Sequence, residues 1–227
     1  IQQTAADVDG LGGRGIAVRC DHRDDEAVQQ LFARVGRDHG LSVLVNNVWG
    51  GYEFYNDGTP YWTEHGFWTM PMSRWDAMFE AGVRAHYVAS ALAVPLMLER
   101  GAGLIVHVSS LASGAVDAGV AYSAAKAATD RLAVCMAYEL REHRIAVISL
   151  HPGLVRTEAV LKAAAHFDLT SSQSPQLLGR VVASLATDPD VMRKTGQILL
   201  AEELAAEYEI VDVDGRRPIA RRDQAQD

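Results

Sequence analysis

Two apolar runs, GLIVHV at residues 103–108 and IAVISL at residues 145–150, decide the fold class of this chain. Each is a near-continuous hydrophobic run, which is typical of a strand buried on both faces of a parallel sheet. Between them lies a long Ala-rich stretch, residues 120–143, whose length predicts a crossover helix. Helices on both faces of a parallel sheet make a doubly wound α/β fold, which we therefore predict.

The same alternation of strands and helices continues in both directions from this unit. Further strands are predicted at 15–20, 41–46 and 196–201. Further helices are predicted at 24–39, at 74–99 with Ser73 as its N-cap, and from Ser174 to about residue 186. No repeat, low-complexity tract or linker interrupts the pattern, so residues 1–227 are interpreted as a single domain.

The composition excludes several classes of protein. The net charge is −8 and no run of Lys or Arg occurs, so a nucleic-acid partner is not expected. We also find no apolar stretch long enough for a membrane span. Cys20 and Cys135 show neither a disulfide framework nor zinc spacing, no other metal site is expected, and a reducing cytoplasm fits best. Only three of the 21 basic residues are lysines.

Distinctive side chains follow the predicted strands at the edge where doubly wound sheets bind ligands. They are Asp21 and His22, Asn46, Ser109 and Ser110, and Pro152. Tyr122 and Lys126 stand four residues apart near the start of the helix at 120–143, so both side chains share one face. A nearby ammonium lowers the pKa of a phenol, which can then exchange a proton with a substrate oxygen. A Tyr/Lys pair alone is more often a solvated surface pair. Its position in order among the distinctive side chains at the strand ends is what favours a catalytic role.

The ordered set resembles the short-chain dehydrogenase/reductase family over essentially the whole chain. The matching motifs are LVNN at 44–47, IVHVSS at 105–110, YSAAK at 122–126 and HPGLVRT at 151–157. Segments at 185–190 and 208–218 resemble one subgroup of the family. The resemblance implies a Rossmann-type sheet and hydride transfer between a nicotinamide cofactor and a carbonyl or alcohol carbon. NAD(H) and NADP(H) both remain open as the cofactor, with NADP(H) slightly favoured.

The resemblance also implies roles for individual residues. Tyr122 would be the general acid/base, Lys126 would hold the nicotinamide ribose and lower the Tyr122 pKa, and Ser110 would position the substrate oxygen. The family's usual spacing from the tyrosine points instead to Ser109, but aligning the strand favours Ser110, because loops lose residues more readily than strands change register. The cofactor would contact Asp21, His22, Asn46, Tyr122, Lys126, Pro152, Val155 and Thr157.

The chain departs from the family at its front and inside the site. The glycine-rich phosphate turn is absent, since the glycines at 10–15 precede a predicted strand. The sheet would therefore lack its first two strands, and we expect roughly 40 residues to be missing. The position of the family's catalytic Asn holds Gly82, as in the subgroup, and Trp49 replaces a family Gly. A water or His86 could approach Gly82, although a packing role for His86 is favoured.

Residues 50–72 and 158–173 are the candidate substrate segments. The first is rich in aromatic residues (Tyr52, Phe54, Tyr55, Tyr61, Trp62, Phe67 and Trp68), which indicates either a surface excursion or an apolar wall over an apolar carbonyl or alcohol substrate. The family resemblance implies a homodimer or homotetramer formed through the two long helices. The alternative to an enzyme is a non-catalytic or degenerate Rossmann binding or regulatory protein, which the intact Ser/Tyr/Lys set disfavours.

Overall fold

A four-stranded parallel sheet forms the centre of the computed structural model, which describes residues 1–38, 40–51 and 66–217. Its strands are β1 (Val43–Asn46), β2 (Gly103–Val108), β3 (Ile145–His151) and β4 (Ile198–Leu200), in the spatial order β1-β2-β3-β4. Val106 of β2 pairs with Val45 on one side and Ile148 on the other. The parallel α/β architecture predicted from the apolar runs is confirmed.

Helices cover both faces of this sheet. Among the described residues the helices are α1 (Gln2–Gly10), α2 (Asp25–Asp38), α3 (Met72–Ala77), α4 (Ala85–Arg100), α5 (Val120–Leu140), α6 (Glu158–Lys162), α7 (Pro175–Thr187) and α8 (Ala201–Glu207). Of these, α2, α4 and α5 cover one face of the sheet, and α7 and α8 cover the other. A π-helical segment, Met78–Arg84, joins α3 to α4 without a break. The predicted helix at 74–99 is therefore present but changes its winding, and π turns of this kind are frequent at functional sites.

Alternate residues of the strands fill two separate cores. Ile105 and Val147 point to a core shared with α2, α4 and α5. Val106 and Ile148 point to a second core shared with α7 and α8. Because both faces of β2 and β3 are buried, these strands need apolar residues at every position, which explains the continuous runs in the sequence.

The strand predicted at residues 15–20 is not formed. β1 pairs with β2 and is an edge strand of the described sheet, so Gly15–Cys20 is irregular backbone. The glycines before it serve a turn: Gly10 ends α1, and Gly12 has a φ of +86°. A strand forms only where a neighbouring strand pairs with it, and a hydrophobic pattern within the segment does not provide that partner.

One further sequence prediction on the helical region at 72–100 is wrong. Pro71, not Ser73, is the N-cap of α3. Among the described residues, the region Met72–Arg100 is long and apolar enough to cross a membrane by length and composition alone. In the structure its residues Ala89 and Met97 are buried in the core. That packing is what a core helix of the same composition shows.

Candidate active site

The start of α5 is anchored to the loop that follows β2. Gly119, the N-cap of α5, has a φ of +85°, a backbone conformation that glycine adopts without strain. The Ser123 hydroxyl donates hydrogen bonds to the carbonyls of Ala112 (2.6 Å) and Ala115 (2.8 Å). Tyr122 and Lys126 are thereby held beside the end of β2, where the sequence placed Ser109 and Ser110.

The two serines at the end of β2 have different environments. The Ser109 side chain is buried and its Oγ donates to the Lys126 carbonyl at 3.2 Å. Ser110 is half-buried and caps a short 3₁₀ turn, its Oγ accepting from the Ala112 amide at 3.2 Å. Ser109 is thus engaged inside the fold. The Ser110 hydroxyl proton has no acceptor among the described residues, so Ser110 is the better candidate to meet a substrate oxygen.

Lys126 is a buried ammonium with few polar neighbours. The residue is only 6% exposed, and its Nζ donates to the Val108 carbonyl at 3.3 Å. The Nζ also lies 4.0 Å from the centroid of the Trp49 ring and 5.8 Å from that of Tyr122. Burial lowers the pKa of Lys126 to about 8, against the attraction of Asp130, which raises it. At neutral pH the side chain is still mostly charged.

The two departures from the family pattern, Trp49 and Gly82, meet in space. A Cβ atom on Gly82 would lie 2.6 Å from Cζ3 and 2.8 Å from Cε3 of the Trp49 indole. The same indole is perpendicular to the Tyr122 ring at a centroid distance of 5.4 Å. The large side chain at 49 therefore occupies the volume that any side chain at 82 would need.

A buried polar cluster lies beneath the end of β1. Asn46 is buried, and its Nδ2 donates to Ser90 Oγ at 3.0 Å and lies 3.4 Å from His107 Nδ1. His86 Nε2 donates to the Val48 carbonyl at 3.0 Å, which fixes the turn that carries Trp49. Burial lowers the pKa of His86 to about 4 and that of His107 to about 3, so both rings are neutral at pH 7.

A second buried cluster, centred on Asp130, was missed by the sequence analysis. Asp130 Oδ1 accepts from Ser149 Oγ at 2.6 Å and from His151 Nε2 at 2.9 Å. Burial alone would raise the pKa of the Asp130 carboxyl, but hydrogen bonds from His151, Ser113, Ser149 and Ser109 outweigh it and keep that pKa below 3.8. Asp130 follows Lys126 by one helical turn. That spacing, on the Tyr122 face of α5, was a usable signal.

The remaining predicted cofactor residues have local partners of their own in the structure. Asp21 is paired with Arg23 at 3.0 Å, and His22 lies just beyond it along the chain. Val155 forms an isolated bridge with Gln173, and Thr157 is the N-cap of α6, accepting from the Val160 amide at 3.3 Å. Pro152 follows directly after β3.

A cavity of about 610 Å³ opens beside Tyr122. Its wall is largely apolar and includes Phe67, Met70, Met72, Trp75, Met78 and Val116, together with Arg74 and Asp117. Of the predicted aromatic segment, Trp68 is exposed, and residues 52, 54, 55, 61 and 62 lie outside the described residues. Within the described ranges, no group of three or more His, Cys, Asp or Glu side chains could hold a metal ion.

Comparison with known proteins decides the family. Residues 1–167 match the family described as short chain dehydrogenase. The chain belongs to the short-chain dehydrogenase/reductase family. Dehydrogenase/reductase SDR family member 1 of Mus musculus is 38% identical over 231 residues, covering 95% of this chain and 72% of the relative. The Homo sapiens protein of the same name is 35% identical over the same shares. The predicted family and subgroup are confirmed.

More distant relatives and solved structures of the family agree. The 7alpha-hydroxysteroid dehydrogenase of Escherichia coli (strain K12) is 28% identical over 68% of this chain and 56% of the relative. A short chain dehydrogenase structure from Mycobacterium thermoresistibile has a TM-score of 0.76 at 25% identity, covering 93% and 73% of the two chains. A 7 alpha-hydroxysteroid dehydrogenase in complex with NADH and 7-oxo glycochenodeoxycholic acid has a TM-score of 0.72 at 24% identity, covering 96% and 81%. As a family member, the chain is an oxidoreductase.

Proposed function

We propose that this oxidoreductase transfers hydride between NAD(H) or NADP(H) and a carbonyl or alcohol carbon, with Tyr122 as general acid/base. The observation that carries the proposal is the placement of Tyr122 on the wall of the 610 Å³ cavity, one helical turn from the buried ammonium of Lys126. A proton donor on the wall of an apolar cavity and a cation one turn away on the same helix then lie beside the carboxyl end of β2.

The residues present fit the nicotinamide-ribose end of such a cofactor. An ammonium with N–H groups to spare and a phenol on one helix face are suited to the vicinal hydroxyls of a ribose, which both donate and accept hydrogen bonds. The Lys126 Nζ has a single hydrogen-bond acceptor, the Val108 carbonyl, among the described residues. The backbone around Pro152, Val155 and Thr157 and the loop at Asp21 and His22 are the other proposed contacts. NADP(H) is slightly favoured, following the subgroup resemblance.

The proton transfer follows from the site's own groups. When bound, the nicotinamide supplies the hydride in reduction and accepts it in oxidation. In reduction, Tyr122 gives its phenol proton to the carbonyl oxygen as that oxygen becomes a hydroxyl, and the Lys126 ammonium stabilises the resulting phenolate. Ser110 donates a hydrogen bond to the same oxygen and orients it. Oxidation of an alcohol reverses each of these proton movements.

An apolar substrate is supported by the cavity wall. Methionine, tryptophan and phenylalanine contribute five of the fifteen residues that surround it, and proline, valine and alanine add further apolar surface, as in sites that bury most of a ligand's surface. The E. coli relative carries the name of a 7alpha-hydroxysteroid dehydrogenase. We therefore propose an apolar carbonyl or alcohol for this chain.

Self-association through the long helices is part of the proposal. Trp75 is 42% exposed and stacks on Phe79 at a centroid distance of 4.2 Å, and Tyr87, on the same helical region, is 56% exposed. Such a cluster of exposed aromatic side chains favours a protein interface, and we propose a homodimer or homotetramer.

Cys20 and Cys135 are both free thiols, in keeping with the proposed reducing cytoplasm.

Replacing Tyr122 by Phe tests the proposed reaction, with Tyr138→Phe as the matched control because Tyr138 is 84% exposed on the same helix. We expect Tyr122→Phe to lower kcat on a panel of apolar ketones and aldehydes by at least about a hundredfold, the usual contribution of a positioned acid/base. Cofactor affinity, measured by fluorescence titration with NADPH and NADH, should change little. Full turnover by Tyr122→Phe would contradict the mechanism, and failure of the unaltered protein to bind either cofactor would favour a non-catalytic role.

A further inference from the structure

The Lys126 ammonium lies against an aromatic face rather than in a shell of polar groups. Its Nζ is 4.0 Å from the centroid of the Trp49 ring. A cation over an indole face is attracted by the negative charge density of the ring, most strongly when the pair is shielded from water. Lys126 is 6% exposed, so the pair is largely shielded. The indole therefore gives the cation a favourable contact without consuming any of its N–H groups.

The indole is held in this position from three sides. Gly82 leaves the space into which the ring edge fits, since a Cβ atom there would lie 2.6 Å from Cζ3. His86 fixes the carbonyl of the preceding residue, Val48, at 3.0 Å. The Tyr122 ring packs perpendicular to the indole. Gly82 belongs to the π-helical segment and Tyr122 to α5, so two of these three contacts come from elements that border the proposed reaction site.

We propose that Trp49 is a positioning residue whose indole face holds the Lys126 ammonium at the end of β2, and that Gly82 is required to admit the ring. The inference rests on the proposed function, in which Lys126 acts on Tyr122 and on the cofactor ribose. Trp49 acts through Lys126 and is assigned no part in the proton transfer itself. Trp49 and Gly82 thus depart from the family pattern together, because the edge of the indole occupies the space that a side chain at 82 would need.

The charges of the other titratable groups around Lys126 leave the effect of the Trp49 contact on its protonation measurable. Asp130, one turn further along α5, favours the ammonium. His86, from the facing helix, is neutral at pH 7, and its ring therefore neither repels nor attracts as a full charge. Tyr122 precedes Lys126 by one turn. Burial opposes the charge, and the Trp49 face offsets part of that cost. Weakening the ring's negative face should therefore make Lys126 lose its proton at lower pH.

Fluorination of Trp49 tests this without changing the shape of the side chain. Tryptophan with zero to four ring fluorines is incorporated at position 49 by nonsense suppression, and lysine is labelled with ¹³C at Cε. Three lysines give three signals, and a Lys126→Arg sample assigns one of them. We expect the midpoint of the Lys126 titration, measured without cofactor, to fall stepwise by about one pH unit across the series, an about tenfold change in its proton affinity.

The control places the same fluorinated residues at position 68. Trp68 is 75% exposed and does not contact Lys126, so the Lys126 midpoint should stay constant there. In the same proteins, the alkaline limb of the kcat/KM profile should move with the Lys126 midpoint only when the fluorine is at 49. A midpoint that stays unchanged across the Trp49 series would overturn the proposal.

A Gly82→Ala variant tests the space requirement separately. Gly179 in α7 is the matched control, because a Cβ there would meet nothing within 4 Å. Alanine is a better helix former than glycine, so Gly179→Ala should raise the Tm. We expect Gly82→Ala to lower the Tm and the Lys126 midpoint, and Trp49→Phe in the Gly82→Ala background to recover Tm. If Gly82→Ala raises Tm and leaves the midpoint unchanged, the ring does not need the space.

The two proposals fail separately. The Lys126 titration and the Tm series need neither turnover nor cofactor, so they test the Trp49 contact even if no substrate is found. Turnover lost in Tyr122→Phe together with a flat fluorination series would keep the proposed function and remove the Trp49 role. Turnover retained in Tyr122→Phe together with a stepwise fluorination series would remove the proposed function and keep the Trp49 role.

Discussion

Replacing Lys126 by Met should abolish a pH dependence of stability that the buried ammonium creates. The pKa of Lys126 is about 8 in the folded protein, against 10.5 for an ordinary lysine. Between these values the unfolded chain binds more protons than the folded one, so the free energy of unfolding rises with pH in that window. A difference of this size corresponds to about 3 kcal/mol, since each pH unit between the two pKa values contributes about 1.4 kcal/mol. Below pH 8 the burial of the charge costs this amount.

Urea denaturation between pH 7 and 10.5 measures the effect. Because ordinary phenols ionise at alkaline pH and Tyr122 lies beside Lys126, the comparison is made in a Tyr122→Phe background, with and without Lys126→Met. The stability difference between the two proteins should change by about 3 kcal/mol across the window, in favour of the protein that keeps Lys126. Lys162→Met, which removes an exposed amine from α6, is the control and should show no slope. A flat difference for Lys126→Met would refute the buried-ammonium reasoning.

Two further substitutions address the buried polar groups. Asp130→Ala leaves the donors of Ser149 and His151 without their acceptor, so urea denaturation at pH 7 should show a loss of about 3 kcal/mol. Because the folded pKa of Asp130 lies below 3.8, that loss should shrink only as the pH falls through the folded pKa, and a loss independent of pH would contradict it. Ser174→Ala removes the N-cap side chain of α7, which accepts from the Leu177 amide at 3.0 Å and donates to Asp212. Thermal denaturation should therefore show the free energy of unfolding lowered by about 1–2 kcal/mol. An unchanged Tm would count against the cap.

The strands that the sequence predicted well are those buried on both faces. The run at 103–108 coincides with β2, and the run at 145–150 forms β3, which extends one residue further to His151. A continuous apolar run needs no knowledge of its neighbours to be recognised. The segment at 15–20 has the same local character and forms no strand, because pairing depends on residues far away in the chain.

The sequence proposes residues for the site but not the contacts around them. Tyr122 and Lys126 are proposed from their motif and spacing and Ser110 from the alignment of its strand, whereas the contact of Trp49 with Gly82 joins residues 33 positions apart and is visible only in three dimensions. Asp130 was passed over because an acidic residue in a helix is usually solvated. Its burial comes from Ser149 and His151 on β3, which lies against α5.

The scarcity of lysine gives the folded chain a simple proteolytic pattern. Lys126 is buried and Lys194 is paired with Glu207, whereas Lys162 in α6 is exposed. A protease that cleaves only after lysine should therefore attack the native protein first in the segment after β3, and separate a piece holding β1 to β3 from one holding β4. The rate of that single cut would therefore report on the local opening of α6, since the other two lysines are buried or paired.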